Sequence, residues 1–228
     1  ALKSKSIDIY PEFTGTITGT LLENKTDSMS NDPEECYELA RKEIYKQDKL
    51  IYLKPSKFQN TYALAVRKDY GDENDISKIS DLKKVEADAT AGFTLEFNDR
   101  EDGNKGLKSL YGLDFEVKTM EPSLRYTAIA NKSIDLTDVY STDSQIITND
   151  LLVLEDDKTL FPPYQAAPLM REETLEEYPE LEEILGKLAG KITAEEMTQM
   201  NYEVDVEGKS AKDVARAYLI KEGLLGYK

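Results

Sequence analysis

One stretch of this chain occurs twice. Lys5-Ser6-Ile7-Asp8-Ile9-Tyr10-Pro11-Glu12-Phe13-Thr14-Gly15-Thr16 returns as Lys132-Ser133-Ile134-Asp135-Leu136-Thr137-Asp138-Val139-Tyr140-Ser141-Thr142-Asp143, at a constant offset of 127 residues that sets Phe13 on Tyr140 and Thr14 on Ser141. Each copy reads as a helix end, a short buried strand, an aromatic residue and then hydroxyls. Two α/β lobes built from related halves would place the carboxyl ends of corresponding strands at one shared crevice, where ligands of such folds bind. Coincidence is the competing reading, because two Ser-Ile-Asp-aliphatic tetrapeptides are not rare in a chain of 228 residues.

The rest of the pattern is α/β. Asp32 caps a helix with Pro33 at its first position, and Cys36, Leu39, Ala40 and Ile44 form its apolar stripe. Strands are expected at residues 50–53, 61–66, 89–97, 115–120 and 134–140, with a loop at 69–75, a helix start at 80–82 and a helix over 124–131. Pro162, Pro163 and Pro168 predict an extended connector, and the remaining chain is helical, with Thr193 and Glu196 as a capping box. Crossings near residues 58–66 and 154–165 divide the chain into a lobe of residues 1–60 plus 163–228 and a lobe of residues 61–162. The opening residues 1–5 resemble the last turns of a helix. The natural protein is therefore expected to extend upstream, leaving no strand beside Ile7 to Tyr10 on the open side.

The 45 acidic and 29 basic residues, a net charge of −16, argue against nucleic-acid phosphate as a partner. One cysteine and no histidine leave no material for a disulfide, a zinc site or a His-based triad, so no cofactor or metal and no enzymatic activity are expected. No apolar run approaches the length of a membrane helix. Phe13, Tyr62, Tyr140 and Tyr164 each stand at the edge of a predicted strand or crossing. Aromatic residues at strand ends more often pack into a core, but four rings on one crevice would form a cage for a quaternary ammonium, which has no N–H to donate and is held by ring faces. Arg100 is the one cation in Glu96-Phe97-Asn98-Asp99-Arg100-Glu101-Asp102-Gly103. Such a run is usually a solvated turn, although an arginine there can also form a bidentate pair with an anion.

The segments at residues 9–16, 60–66, 96–103, 138–143 and 154–164 closely resemble the glycine betaine/carnitine/choline-binding proteins of osmoprotectant ABC transporters, in order and along the whole chain. The resemblance implies a two-lobed clamshell of the type II periplasmic-binding-protein kind, with the N-terminal strand and helix of the first lobe absent from these residues. It also implies a protein lipid-anchored on the outer face of a Gram-positive cell membrane that delivers small quaternary amines to a membrane permease. Carried over residue by residue, the aromatic cage falls on Phe13, Tyr62, Tyr140 and Tyr164, and the polar contacts on Thr16, Asn60 and Arg100. Phe13 departs from the tyrosine usual in that family. In this reading closure brings Tyr140 and Arg100 onto the ligand, Arg100 pairs with the carboxylate of betaine or carnitine, and a neutral Thr16 accepts either tail, which predicts broad specificity. A related betaine such as ergothioneine is the alternative ligand, and a clamshell-fold enzyme is the rival from another class, disfavoured because the chain offers no plausible nucleophile or base.

Overall fold

The computed structural model describes residues 1–23 and 30–226. In chain order the strands are β1 (Ile9–Phe13), β2 (Leu50–Tyr52), β3 (Tyr62–Arg67), β4 (Thr90–Thr94), β5 (Glu116–Met120), β6 (Leu136–Tyr140), β7 (Leu151–Val153) and β8 (Ala166–Arg171). The helices of the first half are α1 (Thr14–Thr16, running on as a π-helical turn over Ile17–Leu21), α2 (Pro33–Asp48), α3 (Lys68–Glu73), α4 (Leu95–Asp99) and α5 (Asn104–Gly106, running on over Leu107–Tyr111). Those that follow are α6 (Pro122–Ala130), α7 (Gln145–Thr148), α8 (Glu172–Glu177), α9 (Glu180–Gly186), α10 (Ala194–Asp205) and α11 (Ala211–Lys221). The chain divides into two compact units, one of Ala1–Asn60, Pro162–Met197 and Ala215–Lys228, the other of Thr61–Phe161 and Thr198–Val214. The segment Thr198–Val214 thus groups with the second unit, whereas the sequence reading put it with the first.

Each unit holds one sheet, and the repeat governs both. Lys5 and Lys132 share a left-handed backbone with φ of 59°. Lys5 and Ser6 donate their amides back to Leu2 and Ala1, and Lys132 and Ser133 donate to Ile129 and Ala128, all at 2.9–3.1 Å. This is the paired-bond turn that satisfies the last carbonyls of a helix. From these identical turns run β1 and β6, five residues each.

The correspondence extends past the repeat. β1 pairs antiparallel with β8, Phe13 opposite Ala166, as β6 pairs antiparallel with β3, Tyr140 opposite Tyr62. On the far side β2 joins β8 with Leu50 opposite Arg171, as β7 joins β3 with Leu151 opposite Arg67. Both arginines lead into a helix whose first amide, from Glu172 or Lys68, donates to the carbonyl of a left-handed residue, Lys49 (φ 56°) or Asp150 (φ 46°).

The sheets then differ. The first is β1-β8-β2, and the second is β5-β4-β6-β3-β7, with β4 parallel to both β5 and β6. Among the described residues no strand lies on the side of β1 away from β8. Pro11 faces Pro168 across the β1–β8 ladder. Neither has an N–H, so this is a non-hydrogen-bonded pair, and Pro11 turns its missing donor to the open edge, where proline discourages further pairing.

Several sequence expectations needed correction. The first repeat strand is not buried, because β1 exposes Ile9 and lacks a neighbour on one side. The predicted strand 89–97 stops at Thr94, whose hydroxyl accepts the Phe97 amide at 3.2 Å and caps α4. Most of the predicted loop 69–75 is helix α3, and Pro168 lies in β8 rather than in a connector. Local chemistry was read correctly at Asp32, which accepts from Glu34 and Glu35, and at the Thr193–Glu196 capping box, bonded in both directions at 3.0 and 3.2 Å.

Candidate functional site

In the second unit, Tyr62 opens β3 and Tyr140 closes β6. Directly opposite residues of an antiparallel pair project to the same face. The two rings accordingly stack with centroids 5.0 Å apart and planes at 29°, and their hydroxyls lie 3.4 Å from each other. Their exposures differ: Tyr62 is 9% exposed and Tyr140 41%. Tyr62 also meets the Phe97 ring at 5.3 Å, while the Arg100 guanidinium sits over it at 5.2 Å. Little of the Tyr62 ring remains open, so it backs the Tyr140 ring, which presents the accessible π surface. Burial, reinforced by Tyr140 and Glu96, pushes the Tyr62 phenol far above its ordinary range and keeps it neutral.

Arg100 follows α4, held beside the stack. Its Nε and Nη2 donate to the two carboxylate oxygens of Asp102 at 2.7 and 2.8 Å, and its Nη1 donates to Glu96 at 3.1 Å. Beneath Tyr140 lies a second guanidinium that the sequence reading missed. Arg125 of α6 donates to Asp138 of β6 at 2.5 Å, and the Asp138 carboxylate also accepts from the Thr94 amide and hydroxyl at 2.8 and 3.0 Å. The pair is nearly inaccessible, at 4% and 0% exposure of the side chains. Burial pushes the Asp138 carboxyl up, and the Arg125 charge opposes that push. Tyr126 adds a hydroxyl bond to Asp143, tying α6 to the turn after Tyr140. An acid between Thr137 and Val139, inside a predicted strand, was the available signal. A cavity of about 660 Å³ opens beside these groups, lined by Tyr62, Thr94, Glu96, Glu121, Arg125 and Tyr140 among others.

In the first unit, Phe13 closes β1 as Tyr140 closes β6. Its amide donates to the buried Glu12 carboxylate at 2.7 Å, and the same carboxylate takes the Tyr10 hydroxyl at 2.7 Å. The Thr14 hydroxyl donates to the Pro163 carbonyl and accepts the Gln165 amide, both at 3.0 Å. In the repeat register Ser141 does the equivalent, accepting the Thr61 amide at 3.1 Å. These hydroxyls therefore pin the segments carrying Tyr164 and Tyr62. The Tyr164 ring lies against Gly15, where a Cβ would come within 2.7 Å of Cζ, so the close approach requires glycine. Tyr164 accepts the Asn60 amide at 2.9 Å and donates its own amide to Gln59 at 3.1 Å. Thr16 is half-buried at the end of α1.

The first unit thus gathers Phe13, Thr16, Asn60 and Tyr164 around the β1 end, and the second gathers Tyr62, Arg100 and Tyr140 around the β6 end. A larger concavity of about 1320 Å³ runs along α2 and β2 of the first unit, but none of these residues lines it. Volume and aromatic chemistry point to different places, and the strand-end aromatic residues are the candidate site. No helix among the described residues is long and apolar enough to cross a membrane, and no group of ligating side chains among them could hold a metal ion.

The fold and the strand-end aromatics define the class, that of solute-binding proteins of the periplasmic-binding type. Residues 1–221 match the family described as the substrate binding domain of ABC-type glycine betaine transport systems, and the chain belongs to that family. A solved structure titled as a glycine betaine/carnitine/choline ABC transporter superposes with a TM-score of 0.92 at 34% identity, covering 98% of this chain and 82% of that one. The carnitine transport binding protein OpuCC of Listeria monocytogenes is 36% identical over 97% of this chain. The ergothioneine transport permease/ergothioneine binding protein EgtU of Helicobacter pylori is 37% identical over 98% of it. This chain spans 72% of the Listeria protein's length and 40% of the Helicobacter protein's.

Proposed function

We propose that this chain is the extracytoplasmic solute-binding part of an osmoprotectant ABC transporter, capturing quaternary ammonium solutes such as glycine betaine, carnitine or choline and delivering them to a membrane permease. The observation that carries this reading is the Tyr140 ring, exposed at the end of β6 and backed by a buried tyrosine. A trimethylammonium group against an aromatic face gains about 0.5–2 kcal/mol per contact when desolvated. Within the first unit, Phe13 and Tyr164 are the corresponding candidate rings, with Thr16 and Asn60 as polar neighbours. The role is capture without chemical change, and attachment outside the cell is through a lipid anchor. The Helicobacter relative's name supports a second ligand, ergothioneine, which is also a trimethylammonium betaine. Calorimetric titration with choline, glycine betaine, carnitine and ergothioneine tests the proposal: saturable binding of at least one is expected, and absence of heat or thermal stabilisation with all four contradicts it.

A further inference from the structure

Tyr140 closes β6, and the turn that follows it governs where the ring points. We infer that Asn201 of α10 is a positioning residue for Tyr140, holding that turn so that the ring faces the ligand. The inference rests on the proposed capture of the ammonium group at Tyr140.

Tyr140 is 41% exposed, so its orientation depends on the stack against Tyr62 and on its own backbone. Its carbonyl accepts the Asp143 amide at 2.9 Å, which closes a turn over residues 140–143. Three parts of the second unit hold this turn, each at a different residue. Thr61, just before β3, accepts the Ser141 amide at 2.9 Å and donates its own amide to the Ser141 hydroxyl at 3.1 Å. From α6 the Tyr126 hydroxyl donates to the Asp143 carboxylate, which also lies 3.8 Å from the Arg125 guanidinium. From α10 the Asn201 side-chain amide donates to the Thr142 carbonyl at 2.8 Å, across 59 residues of sequence. Thr142 is 5% exposed, so water does not readily replace this donor when it is lost. The turn must then shift to recover a partner, and Tyr140 is the residue on which it begins.

Asn201 also sits on a helix that is itself fixed at this point. Thr198–Val214 groups with the second unit, although the residues on either side of it group with the first. Thr198, three residues before Asn201 and on the same face of α10, is 7% exposed. Gln199, by contrast, lies on the exposed face and bonds only along the helix, to Glu203 at 3.5 Å. The inward amide of Asn201 is thus the group through which α10 bears on the turn after Tyr140.

Two measurements test the inference on wild type, Asn201→Asp, Asn201→Ala and Gln199→Ala, with thermal melts to confirm folding. One is the fluorine NMR spectrum of ligand-free protein labelled with fluorotyrosine, in which the Tyr140 resonance is assigned by its loss in Tyr140→Phe. The other is calorimetric titration with choline, glycine betaine, carnitine and ergothioneine. Asn201→Asp keeps the shape of the side chain and loses only the donor. It should move the Tyr140 resonance and weaken the amine that wild type binds best by about three- to tenfold, as should Asn201→Ala. Gln199→Ala should leave both readings unchanged. A Tyr140 resonance at its wild-type position in both Asn201 variants would overturn the inference. So would a loss of affinity with that resonance unmoved, which would assign Asn201 to the stability of the helix alone. If wild type binds none of the four amines, the proposed function falls, while the ligand-free resonance still decides whether Asn201 sets the ring.

Discussion

Ile7 and Ile9 occupy the same places in the repeat as Ile134 and Leu136, yet the first pair is 37% and 36% exposed and the second 1% and 0%. Turn, strand and register are the same on both sides, so the difference does not come from the local sequence. It comes from what lies beyond the strand: β4 and β5 extend the second sheet past β6, and Ile134 packs onto Gly92 of β4, where even an added Cβ would collide. β1 has no such neighbour among the described residues. Burial in a sheet is set by the neighbours of a strand as much as by its own residues. Two near-identical pentapeptides can therefore differ greatly in what they contribute to stability.

The same comparison holds at the position after next. Asp138 stands where β1 has Pro11; in β6 the acid is a buried anchor for Arg125 and Thr94, while in β1 the proline marks an open edge. The largest expected effect therefore belongs to Arg125→Met, which leaves Asp138 buried and unpaired at a cost of about 3–5 kcal/mol in urea unfolding at neutral pH. The sign of its pH dependence follows from burial, which raises the Asp138 carboxyl in the folded state. Removing Arg125, whose charge opposes that rise, lifts the carboxyl further in the variant, so the deficit against wild type is full above the variant's pKa, shrinks as pH falls through it, and is smallest below the wild-type pKa. A deficit that stays constant on acidification would show that packing, not the unpaired charge, is responsible.

Next in size, Leu136→Ala is expected to cost about 2–5 kcal/mol and Ile9→Ala less than about 1, although the two residues are equivalent by sequence. Equal losses in parallel denaturation curves would break the comparison. Smaller and matched effects are expected at the hydroxyl pins. Thr14→Val and Ser141→Ala each remove the acceptor of one backbone amide, from Gln165 and Thr61, and should each cost about 1 kcal/mol. A loss confined to one of them would mean that the halves are not held in the same way.

Much of this architecture was legible in the residues. The repeat fixed the two turns at Lys5 and Lys132 and the two strands they launch, because a constant offset carries local geometry with it. Capping at Asp32 and Thr193 was equally readable, being decided within four residues. What could not be read depends on distant partners. The exposure of β1 reflects a missing neighbour, the end of β4 at Thr94 reflects a cap competing with strand propensity, and the place of Pro168 in β8 reflects its pairing with Pro11. At the site, Tyr62 and Tyr140 could be singled out as strand-end rings. That one supports the other became visible only through the antiparallel register that sets them face to face. Arg100 was singled out for an anion, and its pairing with Asp102 two residues along was not foreseen.

The central claim is that an accessible aromatic face at the end of β6 holds the ammonium group, and a ring-specific substitution measures it most directly. Tyr140→Phe keeps the π surface and loses only the weak hydroxyl contact to Tyr62, whereas Tyr140→Leu keeps apolar bulk and removes the π face. In calorimetric titrations with the quaternary amine that wild type binds best, Tyr140→Phe should stay within about threefold of wild type and Tyr140→Leu should weaken binding by about tenfold or more. Equal affinity of the Phe and Leu variants, with both still folded, would contradict the account.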